Sequence, residues 1–244
     1  MTNSKKTVTV VPAVVQEPNH MALLRCQMVT HHATCDSQMH VYLNEIFTDQ
    51  HRENAKQITK EAEALGYVCH VWSGDFNLSA MFNAGLDETD SDYIVYALQD
   101  CYYIGDWLTP LQELLDTGEH HSAQGVSLPC QKYRTYWDIE EEVHVTSNAV
   151  GSHWVMRRDN GWRWDEKVID TFYIDQRYRE WLEDHEMNVA LCKRSRVEHS
   201  EGNLHMTKTH CSRHLDDIEP NERYIRDMTR SLRKKQKQNG LSTS

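Results

Sequence analysis

Alternation of strand-like and helix-like segments over the first hundred residues constrains the fold of this chain most. A run of β-branched residues at Thr7–Val15 is typical of a strand buried on both faces, and further strands are expected at Met39–Leu43, Tyr67–Trp72 and Tyr93–Leu98. The segments with helical spacing of apolar residues are Asn19–His32, Asp49–Leu65, Leu78–Leu86 and Trp107–Leu115. Strands that are joined through helices pair in parallel with right-handed crossovers. The pattern therefore predicts an α/β fold, an open, mostly parallel, twisted sheet flanked by helices.

The alternation weakens after about residue 120. Extended segments are expected at Ser122–Leu128, His144–Arg158 and Val189–Leu191, and a helix is expected at Tyr173–His185. The polar, histidine-rich residues 200–220 are expected to form an ordered loop or a lid. This half of the chain completes the domain without a repeat of the first pattern.

Charge divides the chain into an acidic body and a basic tail. The formal net charge of the 244 residues is −11, yet residues 218–244 hold seven Lys and Arg against three acids. We therefore expect one domain at 1–217 and a basic C-terminal helix and tail at 218–244. An acidic body excludes a dedicated nucleic-acid-binding domain, whose binding face is basic. The tail is either a solvated helix or a contact for a polyanion or an anionic membrane surface.

Cysteine usage and hydropathy favour a cytoplasmic protein. The seven cysteines are odd in number and scattered, which is typical of a reducing compartment. The longest apolar run, Val8–Val15, is much shorter than the ~20 residues of a transmembrane helix. We expect no transmembrane segment.

Ligands of open α/β sheets bind beyond the carboxyl ends of the strands. The residues there include Pro12, Ala13, Asn44, Glu45, Gln99 and Asp100. Neither GxGxxG nor GxxxxGK[ST] is present, which argues against dinucleotide-binding and P-loop sites. Asp100 remains as a carboxylate able to hold Mg²⁺ or Mn²⁺ against substrate phosphates, although a lone acid at a strand end is more often structural.

Several motifs follow one another in an order that resembles family 2 glycosyltransferases with the GT-A fold. The first is Asp75–Gly85, which resembles the N-x-G-x-x-x-A-R-N-x-G helix, and Asp92–Asp100 resembles the strand that ends in the metal-binding acids. Later come Asp106-Trp107-Leu108, Gly161–Glu166, Ile169-Asp170-Thr171 and Arg196–His199, which resemble p-D-W-L, G-G-F-D-E, the E-D segment and V-x-H. The resemblance spans roughly residues 7–200.

The resemblance implies a metal-dependent, inverting transfer of a sugar from a nucleoside diphosphate sugar to a hydroxyl acceptor. Asp100 and His199 are the implied ligands of Mn²⁺ or Mg²⁺, and Asp170 is the implied base. The implied nucleotide-binding residues are Pro12, Ala13, Asn44, Glu45, Asn77, Asn83 and Gln99. Trp164, Asp165 and Glu166 are expected to line the donor or acceptor sugar. Two alternatives remain open: Asp170 is a helix cap, or Asp175 is the base instead.

Some residues depart from the family pattern. Phe82 stands in place of the motif's arginine, and Leu98 and Gln99 replace the acids that usually precede the metal-binding aspartate. The identity of the nucleotide is left open by these changes, although Gln99 is able both to donate to and to accept from a ribose hydroxyl.

Other functions stay open at the level of sequence. One is a catalytically inactive nucleotide-sugar-binding protein, which the changes at Leu98 and Gln99 favour. Another is a glycosyltransferase that modifies hydroxymethylated bases in DNA and holds nucleic acid through the basic tail. A structural zinc site is a weaker hypothesis, and its candidate ligands are His205, His210, Cys211 and His214.

Overall fold

The structure, a computed structural model, describes residues 5–126, 141–147, 153–168 and 171–199, with backbone alone for 171–173 and 199. Within these ranges there are ten strands: β1 Thr7–Val14, β2 Gln38–Asn44, β3 Val68–Val71, β4 Tyr93–Ala97, β5 Cys101–Ile104, β6 Ser122–Gly125, β7 Val143–Thr146, β8 His153–Arg157, β9 Val189–Cys192 and β10 Arg196–His199. The helices are α1 Pro18–Thr34, α2 Asp49–Ala64, α3 Leu78–Glu88, α4 Thr109–Asp116 and α5 Thr171–Asp184, with a 3₁₀ turn at Arg158–Asn160.

Eight strands form one sheet in the order β3-β2-β1-β4-β8-β6-β9-β7. The first four pair in parallel and are connected through α1, α2 and α3. The α/β fold expected from the alternation is therefore confirmed. In the other half, β8 is antiparallel to both β4 and β6, β6 is parallel to β9, and β7 is antiparallel to β9.

A second, two-stranded sheet pairs β5 with β10 in antiparallel register. Strand β5 was not expected from the sequence, because its four residues directly follow β4 and are too short for a periodicity signal. This sheet determines which parts of the chain meet beyond the end of β4.

Helices cover both faces of the main sheet. On one face, α1, α2 and α4 bury residues such as Leu24, Ile58 and Leu111 against the sheet. On the other face, α3 and α5 bury residues such as Phe82 and Tyr178. Burial on both faces explains why β1 is a continuous run of buried residues, as parallel strands usually are.

Pro12 lies in β1, an interior strand, where proline is unusual. The ladder between β1 and β4 ends at the pair Val10 and Tyr96, so Pro12 lies past it, although it still pairs with Tyr42 of β2. Proline, which has no N–H, therefore lies in the part of β1 that pairs with β2 alone.

Several expectations fall on residues outside the described part of the chain. These are the lid at 200–220, the tail at 218–244, the candidate zinc ligands and Asp170. Within the described part, no helix is long and apolar enough to cross a bilayer. The five cysteines described there are all free thiols.

Candidate functional site

The candidate site lies at the edge of the sheet where β1, β2, β3 and β4 end. Because these strands are parallel, their carboxyl ends share one edge. The edge carries Asn44 and Glu45 after β2, Gln99 and Asp100 after β4, and Asn77 at the start of α3. The structure thus brings together side chains that are up to 56 positions apart in the sequence.

Asp100 lies in a tight turn between β4 and β5. The backbone N–H of Cys101 donates to the carbonyl oxygen of Leu98 at 3.3 Å and closes this turn. The Asp100 side chain is fully buried, with 0% exposure. Burial raises the pKa of the neighbouring Cys101 thiol well above its usual value, and the negative charge of Asp100 raises it further. The chain therefore keeps a carboxylate inside the protein at the end of β4.

The strand pairing brings position 199 next to this carboxylate. In the β5–β10 ladder, His199 is the partner of Cys101, the residue that follows Asp100. The sequence separates the two expected metal ligands by almost a hundred residues, and the small sheet brings their backbones side by side. The ligand role of His199 remains a prediction, since the structure describes only its backbone.

Gln99 holds the ends of β1 and α1 together. Its Oε1 accepts a hydrogen bond from the backbone N–H of Val14 at 2.7 Å. Its Nε2 donates to the carbonyl oxygens of Val14 and His20 at 3.3 and 3.2 Å. An amide can do both, whereas the carboxylate of the family pattern cannot donate. The substitution at Gln99 therefore has a structural function, and its role as a nucleotide ligand stays a prediction.

Asn44 and Glu45 shape the end of β2. The Nδ2 of buried Asn44 donates to the carbonyl oxygen of Ala13 at 2.9 Å, which fixes the end of β1 beside β2. Glu45 has a φ of 59°, in the left-handed region that non-glycine residues seldom adopt. Its carboxylate accepts from Nε2 of Gln16 at 3.1 Å. Pro12 and Ala13 lie inside β1, so their backbone is already held by the sheet.

Helix α3 clamps the loop 161–168 onto the site. Asn77 caps the helix by accepting from the N–H of Ala80 at 2.9 Å, and its Nδ2 donates to the carbonyl oxygen of Glu166 at 2.8 Å. Asn83 accepts from the N–H of Trp164 at 3.0 Å and donates to its carbonyl oxygen at 2.9 Å. These two asparagines hold the loop, and their nucleotide-binding role stays a prediction.

The two acids of this loop are held apart from each other. The Glu166 carboxylate accepts from Nδ2 of Asn83 at 2.8 Å. The Asp165 carboxylate accepts from the N–H of Lys167 at 3.1 Å and lies 3.9 Å from the guanidinium of Arg177 on α5. Arg177 also pairs with Glu180 at 2.7 Å. Asp165 and Glu166 are therefore oriented hydrogen-bond acceptors, which suits contacts to sugar hydroxyls.

The structure corrects the expectation for the ring of Trp164. The ring is 2% exposed and packs against Phe82, Tyr96 and Trp154, with centroid separations of 5.5, 5.2 and 4.9 Å. A ring surrounded in this way belongs to the core and offers no open face for a sugar to stack on. Phe82, which replaces the motif's arginine, is part of the same cluster, so the substitution exchanges a polar site residue for core packing.

His153 is a further histidine near the end of β4, and no sequence motif predicts it. It pairs with Ala97 at the amino end of β8 and is therefore close to the end of β4. The ring is buried, and its Nε2 accepts from the N–H of Gly125 at 2.9 Å. Because this placement depends on antiparallel pairing between strands distant in sequence, no local spacing could have revealed it.

Comparisons with known proteins show the family and the fold of this chain. The family model described as glycosyl transferase family 2 matches residues 45–172, just over half of the chain. The matched span includes Asp100 and Asp170 and stops before His199. No curated protein sequence matches the chain.

Among solved structures, the chain is similar to the one described as the crystal structure of GalNAc-T7 with UDP, GalNAc and Mn²⁺. The TM-score is 0.57 at 10% sequence identity, over 88% of this chain and 48% of that one. The likeness shows the GT-A fold, and this chain spans about half the length of that protein.

Proposed function

Because this chain belongs to glycosyl transferase family 2, we propose that it moves a sugar from a nucleoside diphosphate sugar to a hydroxyl acceptor, with inversion. The observation that supports this most is the buried carboxylate of Asp100 at the end of β4, beside the backbone of His199. In the proposed reaction, the acceptor oxygen attacks the anomeric carbon. The bond from that carbon to the diphosphate oxygen breaks as the new bond forms.

A divalent cation fits the donor set at this position. Asp100 and His199 would supply a carboxylate and an imidazole, a pair that suits Mn²⁺ somewhat better than Mg²⁺, which prefers oxygen ligands. When bound, such an ion stabilises the negative charge that develops on the leaving diphosphate. The similar structure of GalNAc-T7 was solved with Mn²⁺.

The protein's own residues position the sugar and take the proton. Asp165 and Glu166 would accept hydrogen bonds from hydroxyl groups of the sugar, since their carboxylates are held at the rim by Arg177 and Asn83. Asp170 would take the proton of the acceptor hydroxyl. It follows Val168 by two residues in the sequence, and the carbonyl oxygen of Val168 accepts a hydrogen bond from the hydroxyl of Ser79 at 3.2 Å.

A donor screen tests the proposal. The purified full chain is incubated with a panel of nucleoside diphosphate sugars, including UDP-GalNAc, in Mn²⁺, Mg²⁺ or chelator, and released nucleotide is measured. Asp100→Asn should lower metal-stimulated release by about 100-fold or more, because it removes an anionic ligand and keeps the shape. The matched control is Asp90→Asn, at an exposed carboxylate before β4, which should leave the rate unchanged.

Equal rates for Asp100→Asn and the wild type, with and without chelator, would contradict the assignment. An absence of release from every donor would favour the nucleotide-sugar-binding alternative. The acceptor is tested separately, by comparing a glycan with DNA that contains hydroxymethylated bases. If DNA is the acceptor, removal of residues 221–244 should weaken a salt-dependent DNA affinity.

A further inference from the structure

Two histidines and a glutamate that are not part of the proposed donor site meet at the β3 edge of the main sheet. His40 lies on β2, His70 on the edge strand β3, and Glu88 is the last residue of α3. One ligand atom from each residue lies within 4.8 Å of the others. Among the residues that the structure describes, this is the one group of three histidine, cysteine or acidic side chains close enough to share an ion.

The fold places all three side chains on one face of the sheet. His70 pairs with Tyr42 across β2 and β3, and its ring stacks on the Tyr42 ring at 4.5 Å with an interplanar angle of 9°. His40 precedes Tyr42 by two residues and therefore points to the same side of the strand. Helix α3 covers this face and ends at Glu88, so its last carboxylate lies beside the two imidazoles.

Hydrogen bonds already orient the three groups towards one another. Nδ1 of His40 lies 3.1 Å from Nε2 of His70, and Nδ1 of His70 lies 3.5 Å from Oε2 of Glu88. The Tyr42 hydroxyl donates to the same Glu88 oxygen at 2.7 Å. The bond from Tyr42 comes from outside the three groups, and outer hydrogen bonds of this kind fix the direction of a metal-binding carboxylate. The contacts among His40, His70 and Glu88 are the ones that a bound ion would replace.

The exposure of the three groups suits a site that an ion can reach. His40 is 8% exposed and lies on the inner side of the cluster. The Glu88 side chain is 47% exposed, which leaves a route from solvent and room for a water ligand.

We infer that His40, His70 and Glu88 bind a divalent transition-metal ion, with Zn²⁺ the best match to two imidazoles and one carboxylate. Two ligands on a tetrahedral zinc ion, at ~2.0–2.1 Å each, are separated by ~3.3 Å. The 3.1 Å between the two imidazole nitrogens is close to that spacing. Mg²⁺ and Ca²⁺ are disfavoured, because they select oxygen ligands.

None of the three residues belongs to the proposed donor site. His40 precedes Asn44 by four residues, ~13 Å along β2, and His70 pairs with Tyr42, two residues before Asn44. The ion would join the edge strand β3, the neighbouring strand β2 and the end of α3. Its expected effect is therefore to stabilise the folded protein, since a ligand that binds only the folded state raises its stability.

Zinc titration of the chelator-treated full chain tests the inference. Bound zinc per chain and the thermal midpoint are measured for the wild type, His70→Gln and Glu88→Gln. Both positions are partly exposed, so these variants are expected to fold, and Gln at position 88 still accepts from Tyr42. His32→Gln, at an exposed histidine of α1, is the matched control. Differences from the wild type report on this cluster, whatever else on the chain binds zinc.

We expect His70→Gln to bind one zinc ion fewer per chain and to lose the rise in thermal midpoint that zinc gives the wild type. Glu88→Gln should bind that ion at least 10-fold more weakly, and His32→Gln should behave as the wild type does. Equal zinc stoichiometry and affinity in the wild type and both cluster variants would overturn the inference. A wild type that binds no zinc would overturn it as well and leave the contacts as a hydrogen-bonded relay.

Discussion

Asn83→Asp is the substitution that most directly tests how α3 holds the loop with Asp165 and Glu166. The Asn83 side chain is 3% exposed and makes three hydrogen bonds to that loop, two by donation and one by acceptance. Aspartate keeps the size and the acceptor oxygen. It removes both donors and places a carboxylate against the Glu166 carboxylate and the Trp164 carbonyl oxygen.

The magnitude follows from the bonds that are lost. A neutral hydrogen bond contributes about 1 kcal/mol net, and one to a charged group about 1.5–3 kcal/mol. We therefore expect ionised aspartate at position 83 to destabilise the fold by about 3–4 kcal/mol. A protonated carboxyl still donates once, so the loss at low pH should be about 2 kcal/mol smaller.

The pH dependence has a definite sign. Because the folded state favours the protonated carboxyl, its pKa at position 83 should lie above the usual value for aspartate. The extra destabilisation should then appear as the pH rises from about 4 to 6 and should remain constant above that range. Asn83→Ala, which has no titrating group, should be destabilised by an amount that does not depend on pH.

Urea unfolding followed by tryptophan fluorescence, at several pH values between 4 and 8, measures these differences. Wild type, Asn83→Asp and Asn83→Ala are compared, and sugar transfer is assayed on each folded variant. A midpoint of Asn83→Asp equal to that of the wild type, or a gap between them that is constant with pH, would refute the reasoning. An equal midpoint would mean that the three hydrogen bonds contribute nothing to stability, and a constant gap would mean that the lost donors are not the cause of the destabilisation.

Three more changes test the site and the core. If Asp170 is the base, Asp170→Asn should lower turnover by ~10²–10⁴-fold and leave the affinity for the donor unchanged. A change in stability of ~1 kcal/mol with normal turnover would indicate a helix cap instead. Gly85→Ala should destabilise the fold by about 1–3 kcal/mol in urea unfolding, because an added Cβ overlaps both γ-methyl groups of Val10. The double variant with Val10→Ala should lose less free energy of unfolding than the sum of the two single variants. Burial lowers the pKa of His31 to about 3, so the unfolded state binds the proton first as the pH falls below about 6.5. The free energy of unfolding should then decrease by about 1.4 kcal/mol for each pH unit below that value. His31→Gln should flatten this slope, and an unchanged slope would contradict the assignment.

Local pattern was sufficient to predict much of the first half of the chain. Strands β1 to β4 and helices α1 to α4 lie close to the segments where strand-like composition and helical spacing of apolar residues predict them. The sequence alone also predicts that Asp100 lies at the end of β4. Such features depend on residues that are neighbours in the sequence, so their signals are strong in one sequence.

The sequence by itself determined an α/β chain with a carboxylate at the end of its fourth strand. Only the tertiary structure decided that β5 pairs with β10 beside Asp100, that Trp164 belongs to the core, and that Gln99 ties together the ends of β1 and α1. It also brought His40, His70 and Glu88 within reach of one ion. The physical reason is that each of these depends on contacts between residues far apart in the chain, whose pairing is selected by the packing of the whole sheet and its helices.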